Sequence, residues 1–190
     1  MKDDLGRQLY SIKWSVLNPR LHGGVPQNRE RVFIVGIRRD VKKAEMKWPG
    51  EMKMRNITDF LEPHVPKTQL TSGTEIKNLA KAREHILGQG LNPDKDPCIV
   101  NLGGSNVHWN LGYSPCLTRS RAGSGGFYFT WLRRKMTINE ILALQGVRMG
   151  ACQQETVTPR QLCQIAGNAI CVDVLARLMR CLLEATNLNH

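Results

Sequence analysis

An α/β fold follows from three features of the chain. Tyr10, Ile12, Trp14 and Val16 alternate with polar residues, as one face of a half-buried strand requires. Arg31 opens a continuous apolar run to Ile37, the pattern of a strand covered on both faces in the middle of an α/β sheet. Toward the C-terminus the period changes. Ile170, Val174, Leu175, Leu178, Met179 and Leu182 recur at helical spacing, and two segments upstream of them carry helix-start signatures.

The elements follow in order. The first strand ends at Asn18-Pro19, and His22-Gly23-Gly24 makes the turn into the second. Arg38 to Pro66 is polar and punctuated by prolines, a connector with room for a short helix at Ile57–Leu61. Residues 67–97 are again polar and hold one helix, from Glu75 to Leu87, closed by Gly88 and Gly90. Cys98 to Leu102 reads as a strand. Two Gly/Ser-rich stretches, 103–105 and 122–126, mark backbone that passes close to something. Thr137-Ile138-Asn139-Glu140 has capping-box form, and Thr158-Pro159-Arg160-Gln161 repeats it with proline at the first helical position. The last helix follows Gly167-Asn168, and its apolar stripe is assigned to core packing. There are no internal repeats.

With 190 residues, 41% of them hydrophobic and 23% charged, the chain suits one core, or one domain with a small appendage. Its longest apolar stretches fit strands and amphipathic helices, so no membrane partner is expected. Met1-Lys2-Asp3-Asp4-Leu5 leads into no apolar stretch, so no signal peptide is read there. The expected location is intracellular: the nucleus in a eukaryote, the cytoplasm or nucleoid in a bacterium. The six cysteines form no Cys-x-x-Cys pair and none sits near a histidine at ligand spacing, so reduced thiols are expected, with no metal and no disulfide framework. The net charge of +11 points to a polyanion, most simply nucleic acid. Candidate contacts are Arg38-Arg39 with Lys42-Lys43, Arg119 with Arg121, and Arg133-Arg134-Lys135; each cluster reads equally as a solvated face.

The densest chemistry lies in Gly23-Gly24-Val25-Pro26-Gln27-Asn28-Arg29-Glu30-Arg31. Alternate side chains of an extended backbone share a face, which places Gln27, Arg29 and Arg31 together at the mouth of the second strand. Taken alone, the pattern is an ion-pair network with Glu30 as partner. The whole run from Asn18 to Gly36, however, resembles the Gln-x-Arg-x-Arg eighth motif of the cytosine-C5 DNA methyltransferases. Gln164-Ile165-Ala166-Gly167-Asn168-Ala169-Ile170 resembles the tenth motif, although alone it reads as a plain Asn N-cap. Ser114-Pro115-Cys116-Leu117-Thr118-Arg119, through Phe127-Tyr128-Phe129 and Thr137–Glu140 to Leu144-Gln145-Gly146, resembles the ninth: a Pro/Thr strand, a glycine-rich turn, an aromatic strand and a capped helix. Alone it is a hairpin plus an amphipathic helix.

Three motifs in the family's order, from Tyr10 to Leu183, resemble the C-terminal part of such an enzyme. The resemblance implies the C-terminal portion of a Rossmann-like, S-adenosylmethionine-dependent methyltransferase sheet with a small target-recognition segment. Residues 1–66 would hold the last catalytic strands, 67–111 the recognition segment, and 112–190 the ninth and tenth motifs. The implied reaction is methyl transfer from S-adenosylmethionine to C5 of a cytosine flipped out of DNA. A thiolate adds to C6, charge develops on O2 and N3, and a fixed guanidinium at O2 stabilises it. The resemblance gives that role to Arg31, with Arg29 bracing it or a phosphate, and Gln27 as support. It gives cofactor contact to Gly167, Asn168 and Ala169, and DNA contact to Arg119, Arg121, Arg133 and Arg134.

Departures accompany the match. No Phe-x-Gly-x-Gly cofactor strand, Pro-Cys-Gln nucleophile loop or Glu-Asn-Val motif is present. Cys116 is followed by Leu117 and so is not that nucleophile. The expectation is a fragment, or one subunit of a split enzyme whose upstream half is a separate chain, inactive alone. Ala169 stands where many relatives have a hydroxyl, Asn139 where an arginine is usual, and the recognition segment is short. Two alternatives stay open: a non-catalytic DNA-binding remnant, and a transfer-RNA cytosine-C5 methyltransferase, since one branch of the family acts on that substrate.

Overall fold

A computed structural model describes residues 8–103, 106–148 and 157–188. Strand β1 (Tyr10–Leu17) pairs antiparallel with β2 (Arg31–Arg38) along its whole length, Tyr10 opposite Arg38 and Leu17 opposite Arg31. The connection starts with one π-helical turn, Pro19–Gly23. Asn18 caps it by accepting from the Arg20 N–H, and Gly24 ends it at φ 65°, a left-handed angle that suits glycine.

This pair forms a two-stranded sheet, and it corrects the expectation of a strand covered on both faces. Leu17, Val35 and Ile37 are buried on one face, whereas Ile12, Trp14, Val16, Val32 and Ile34 on the other are exposed. The apolar run of β2 is real, but among the described residues only one side of it is covered.

The second sheet has the order β4-β3-β5-β6, all antiparallel: β3 is Cys98–Asn101, β4 His108–Leu111, β5 Phe127–Phe129 and β6 Arg134–Lys135. Helix α1 (Gly73–Gly88) lies against one side, where Ala82 and Ile86 pack with Cys98, Val100, Leu102 and Tyr128 in a small core. Ile99, Phe127 and Phe129 enter the main core on the other side, with Leu117, Ile141 and Leu144. The alternation along β3 thus joins two cores. β5 pairs with β3 and β6 with β5, so strands from beyond residue 111 complete the sheet that β3 and β4 begin.

Helix α2 (Arg119–Gly123) takes up the end of the expected Pro/Thr strand, which is reduced to a single parallel bridge between Ser114 and Gln27. Both capping boxes form. Thr137 accepts from the Glu140 N–H and Glu140 accepts from the Thr137 N–H at the start of α3 (Ile138–Ala143). Thr158 and Gln161 do the same for α4 (Pro159–Asn168). Glu140 does more than cap. It is fully buried, holds Arg134 through two bonds of 2.9 and 2.6 Å, and accepts from the Glu62 N–H.

Helix α5 (Val172–Glu184) follows a break at Ala169 to Cys171, where both ends of the break have extended backbone angles. Pro159 to Glu184 is long and apolar enough to cross a membrane by composition, yet this break divides it and Val174 and Leu178 pack into the main core. The stripe expected to be core is only partly so. Val174 and Leu178 are buried, while Ile170, Leu175 and Met179 are 39–50% exposed.

Candidate functional site: an arginine at the rim of a polar cleft

The Gln-x-Arg-x-Arg residues occupy three different depths. Gln27 is fully buried and donates from Nε2 to the Leu144 carbonyl at 2.6 Å. Arg29 is buried and donates to the Leu117 carbonyl at 2.6 Å and to the Gly167 carbonyl at 2.9 Å. Burial, and then the charge of Arg31, lowers its pKa from the ordinary arginine value. Gln145, also buried, donates to the Ala166 carbonyl at 2.7 Å. These three side chains tie the eighth-, ninth- and tenth-motif segments together through backbone carbonyls. An interior carbonyl without a donor is costly, so each bond fixes the spacing of two segments.

Arg31 is exposed. Its Nη1 donates to the adjacent Glu30 carbonyl at 2.6 Å, and its Nη2 lies 3.8 Å from the Cys116 sulfur. Among the described residues the Glu30 carboxylate forms no ion pair with either arginine. Arg29 approaches the same sulfur from inside, at 3.7 Å. The alternate spacing does put both guanidiniums toward Cys116, but one is committed to carbonyls and the other keeps donors for a ligand.

Asn28, just ahead of Arg29, is exposed. Its Oδ1 accepts from Nδ2 of the buried Asn18 at 2.7 Å, and its N–H donates to the Ser114 carbonyl at 2.9 Å. That leaves the Asn28 amide NH₂ facing a cleft of about 460 Å³. Asn28, Cys116 and Arg121 line the cleft together with His108, Trp109 and Asn110 of β4. No described lining residue carries a carboxylate. Amides, an imidazole, an indole and a guanidinium suit base edges and phosphates, and no negative charge opposes them.

The expected DNA contacts separate accordingly. Arg121 lines the cleft, and Arg119 is exposed at the start of α2. Arg133, exposed at a left-handed φ of 54°, pairs with Asp94 at 3.3 Å outside the cleft lining. Arg134 is a correction: it is buried, paired with Glu140 and stacked 5.2 Å from the Phe129 ring, so its guanidinium faces no ligand.

Gly167 and Asn168 lie in the last turn of α4 rather than at a helix start, so no N-terminal N–H groups are offered there. Gly167 has a packing reason. A Cβ at that position would stand 2.6 Å from the Arg119 N and Cα. Gly167→Ala should therefore push α4 away from α2 and cost about 1–3 kcal/mol, the usual range for an overpacked site, read as a lower urea midpoint. Asn168 is exposed, Ala169 is half-buried, and the Ala169 N–H donates back into α4. The recess where Arg31 and Phe33 meet Ile170 and Val174 holds only about 10 Å³. Among the described residues this segment encloses no cavity large enough for a cofactor.

Burial raises the thiol pKa of Cys163 and Cys171 and pushes Cys98 up to about 11, which keeps these groups protonated and unreactive. Asn18, Asn28 and β4 were not singled out from the sequence. Asn18 carries a signal, an Asn ahead of Pro at a turn, that marks the strand end and equally the cap of the turn that follows.

The family model described as "C-5 cytosine-specific DNA methylase" matches residues 1–184. Among curated relatives, the type II methyltransferase M.Bsp6I of Bacillus sp. (strain RFL6) is 27% identical over 181 residues, covering 89% of this chain and 54% of the relative. Among solved structures, the Entamoeba histolytica methyltransferase EhMeth aligns with a TM-score of 0.57 at 21% identity, over 93% of this chain and 54% of its own. The S. pombe Dnmt2 methyltransferase aligns with a TM-score of 0.57 at 18% identity, over 92% and 57%. A mutant of Spodoptera frugiperda DNMT2 gives 0.57 at 15%, over 92% and 58%. The chain spans about half the length of the curated relative it matches. Its mixed α/β fold is the one these methyltransferases share, and with three motif segments bound into one unit the chain belongs to the C-5 cytosine-specific DNA methylase family.

Proposed function

We propose that this chain is the C-terminal half of a DNA cytosine-C5 methyltransferase. In this reading it grips DNA and stabilises the attacked base, while a complementary half supplies the nucleophilic thiolate. The observation that carries the reading is the division within the motif: Arg29 is bonded to two interior carbonyls, and Arg31 is exposed with its Nη2 3.8 Å from Cys116, a residue that lines the cleft.

When a thiolate adds to C6 of cytosine, negative charge moves onto O2 and N3. Arg31 can place a guanidinium N–H at O2, and its backbone is fixed from below by the bonds of Arg29 and Gln27. Asn28, oriented by Asn18, offers a second donor for the base edge or its phosphate. Arg121 and Arg119 hold the flanking backbone, and the flipped base leaves its stack for the cleft. S-adenosylmethionine, when bound, supplies the electrophilic methyl group. Asn168, Ala169 and Ile170 would form its wall on this chain, with the rest of the pocket supplied by the complementary half.

The test is nucleic-acid binding and methyl transfer together. Affinity for duplex DNA should fall steeply with salt, and Arg121→Ala should flatten the slope of log affinity against log salt by about 0.9, one phosphate contact. A salt-independent affinity contradicts the electrostatic part of the reading. With tritiated S-adenosylmethionine, the chain complemented by an upstream half should label duplex DNA in competition with transfer RNA. Label confined to transfer RNA would assign an RNA substrate, and an absence of label would leave a DNA-binding remnant.

A further inference from the structure

Among the described residues three arginines lie with their guanidiniums over aromatic rings, and two of them also have oxygen acceptors. Arg134, 5.2 Å from the Phe129 ring centre, holds Glu140. Arg55, 4.6 Å from the Phe60 ring centre, donates to Asp173 and to the Gly24 carbonyl. Arg20 differs from both. Its guanidinium carbon stands 4.5 Å from the centre of the Tyr113 ring, and among the described residues its side chain makes no hydrogen bond and no ion pair. The Nε is buried without a partner, although the residue as a whole is only half-buried.

The backbone that carries this side chain is fixed. Asn18, itself buried, accepts through Oδ1 from the N–H groups of Arg20 at 3.1 Å and Arg29 at 3.3 Å. Its Nδ2 donates to Asn28, so one buried amide sets Arg20, Arg29 and the cleft-lining Asn28 against one another. The ring is tied to the same region. Tyr113 precedes Ser114, which donates to the Pro26 carbonyl and accepts from the Asn28 N–H, and Pro115 and Cys116 line the cleft. Arg20 is thus anchored, through its backbone and through its ring partner, to segments that build the cleft. The turn that presents it is π-helical, a form that recurs at functional sites.

A guanidinium carries five N–H donors in one plane. A ring face balances part of its charge but takes none of the in-plane hydrogen bonds. Unmade bonds at a half-buried charged group cost stability, and a group left so has a reason to be there. The missing acceptor is an anion with more than one oxygen, and on a chain of net charge +11 a backbone phosphate suits it, because a planar fork meets a phosphate bidentately. We infer that Arg20, stacked on Tyr113, is a contact for a DNA backbone phosphate beside the cleft, in addition to Arg119 and Arg121. The stack holds the fork in place before DNA arrives, so little side-chain entropy is lost on binding. The inference rests on the proposed function for the identity of the polyanion.

The test is fluorescence anisotropy of a labelled DNA duplex titrated with the chain at several salt concentrations. Arg20→Gln should flatten the slope of log affinity against log salt by about 0.9, one phosphate contact, at nearly the wild-type Tm. Arg20→Lys keeps the charge and should keep the slope. Tyr113→Leu removes the ring and should weaken binding by about 2–5-fold with the slope retained. Modification of arginines by phenylglyoxal, mapped by mass spectrometry, needs no variant: Arg20 should react more slowly when the duplex is bound. An unchanged slope in Arg20→Gln, or equal modification with and without DNA, overturns the contact. A sharp fall in Tm with the slope unchanged assigns the stack to folding alone and overturns it as well. If the wild-type slope is steep and Arg20→Gln keeps it, this contact fails and the functional reading stands. A slope flattened by Arg20→Gln, in a chain that transfers no methyl group even with its complement, contradicts the functional reading and leaves the contact standing.

Discussion

Arg31→Ala, in the chain complemented by its upstream half, should lower turnover by about 10²–10³ and leave duplex affinity and Tm nearly unchanged. A preorganised donor aimed at a developing oxyanion contributes mainly in the transition state, and removing one typically has that effect on rate. The structure isolates this expectation from folding. Arg31 is exposed, donates only to the neighbouring Glu30 carbonyl, and meets Cys116 at 3.8 Å. None of these contacts spans the core. Arg31→Lys should recover little of the rate, because an ammonium keeps the charge but not the planar fork. If Arg31→Ala left turnover intact while lowering the Tm, the residue would be part of the scaffold.

Arg29→Met should do the opposite. It deletes two charged hydrogen bonds and leaves the Leu117 and Gly167 carbonyls buried without their donor. At about 1.5–3 kcal/mol for each of the two bonds to a charged group, a loss of about 3–6 kcal/mol is expected, a large part of a typical domain's stability. Methionine keeps most of the volume, so little of the effect is cavity formation. The denaturation midpoint should fall sharply, with α4 and the 114–118 segment losing exchange protection first. An unchanged midpoint combined with weaker DNA binding would show that Arg29 braces a phosphate, the role its motif position implied before its partners were seen.

The contrast between these arginines shows where a sequence stops being legible. The strands from Tyr10 and Arg31, the turn at Ile57 and both capping boxes depend on signals within a few residues, and each formed where expected. Alternation puts Arg29, just ahead of β2, and Arg31, its first residue, toward the same side, where both guanidiniums approach Cys116. It carried no information on depth, which is decided by Leu117 and Gly167, 88 and 138 residues away. The same limit explains Val32, Ile34, Leu175 and Met179. A periodic apolar pattern reports which side chains share a face, not whether this chain holds the surface that covers it. Arg134 was misplaced for a related reason, because its run of basic residues looked like a solvated face until Glu140 came from the next helix to meet it. Gly167 suggested a helix start by its Gly-Asn sequence, but the position is dictated by the backbone of α2 against it.

In the proposed reading this chain stabilises the attacked base and does not supply the nucleophile. Cys98, Cys163 and Cys171 are buried thiols with raised pKa, and Cys116 lies beside Arg31 outside any Pro-Cys-Gln loop. The most direct measurement is tritium transfer from S-adenosylmethionine to cytosine-rich duplex DNA by the purified chain, alone and with the complementary half. The account predicts background counts alone and incorporation with the complement. Incorporation by the pure chain would contradict it and would point to one of the chain's own cysteines as the attacking thiolate.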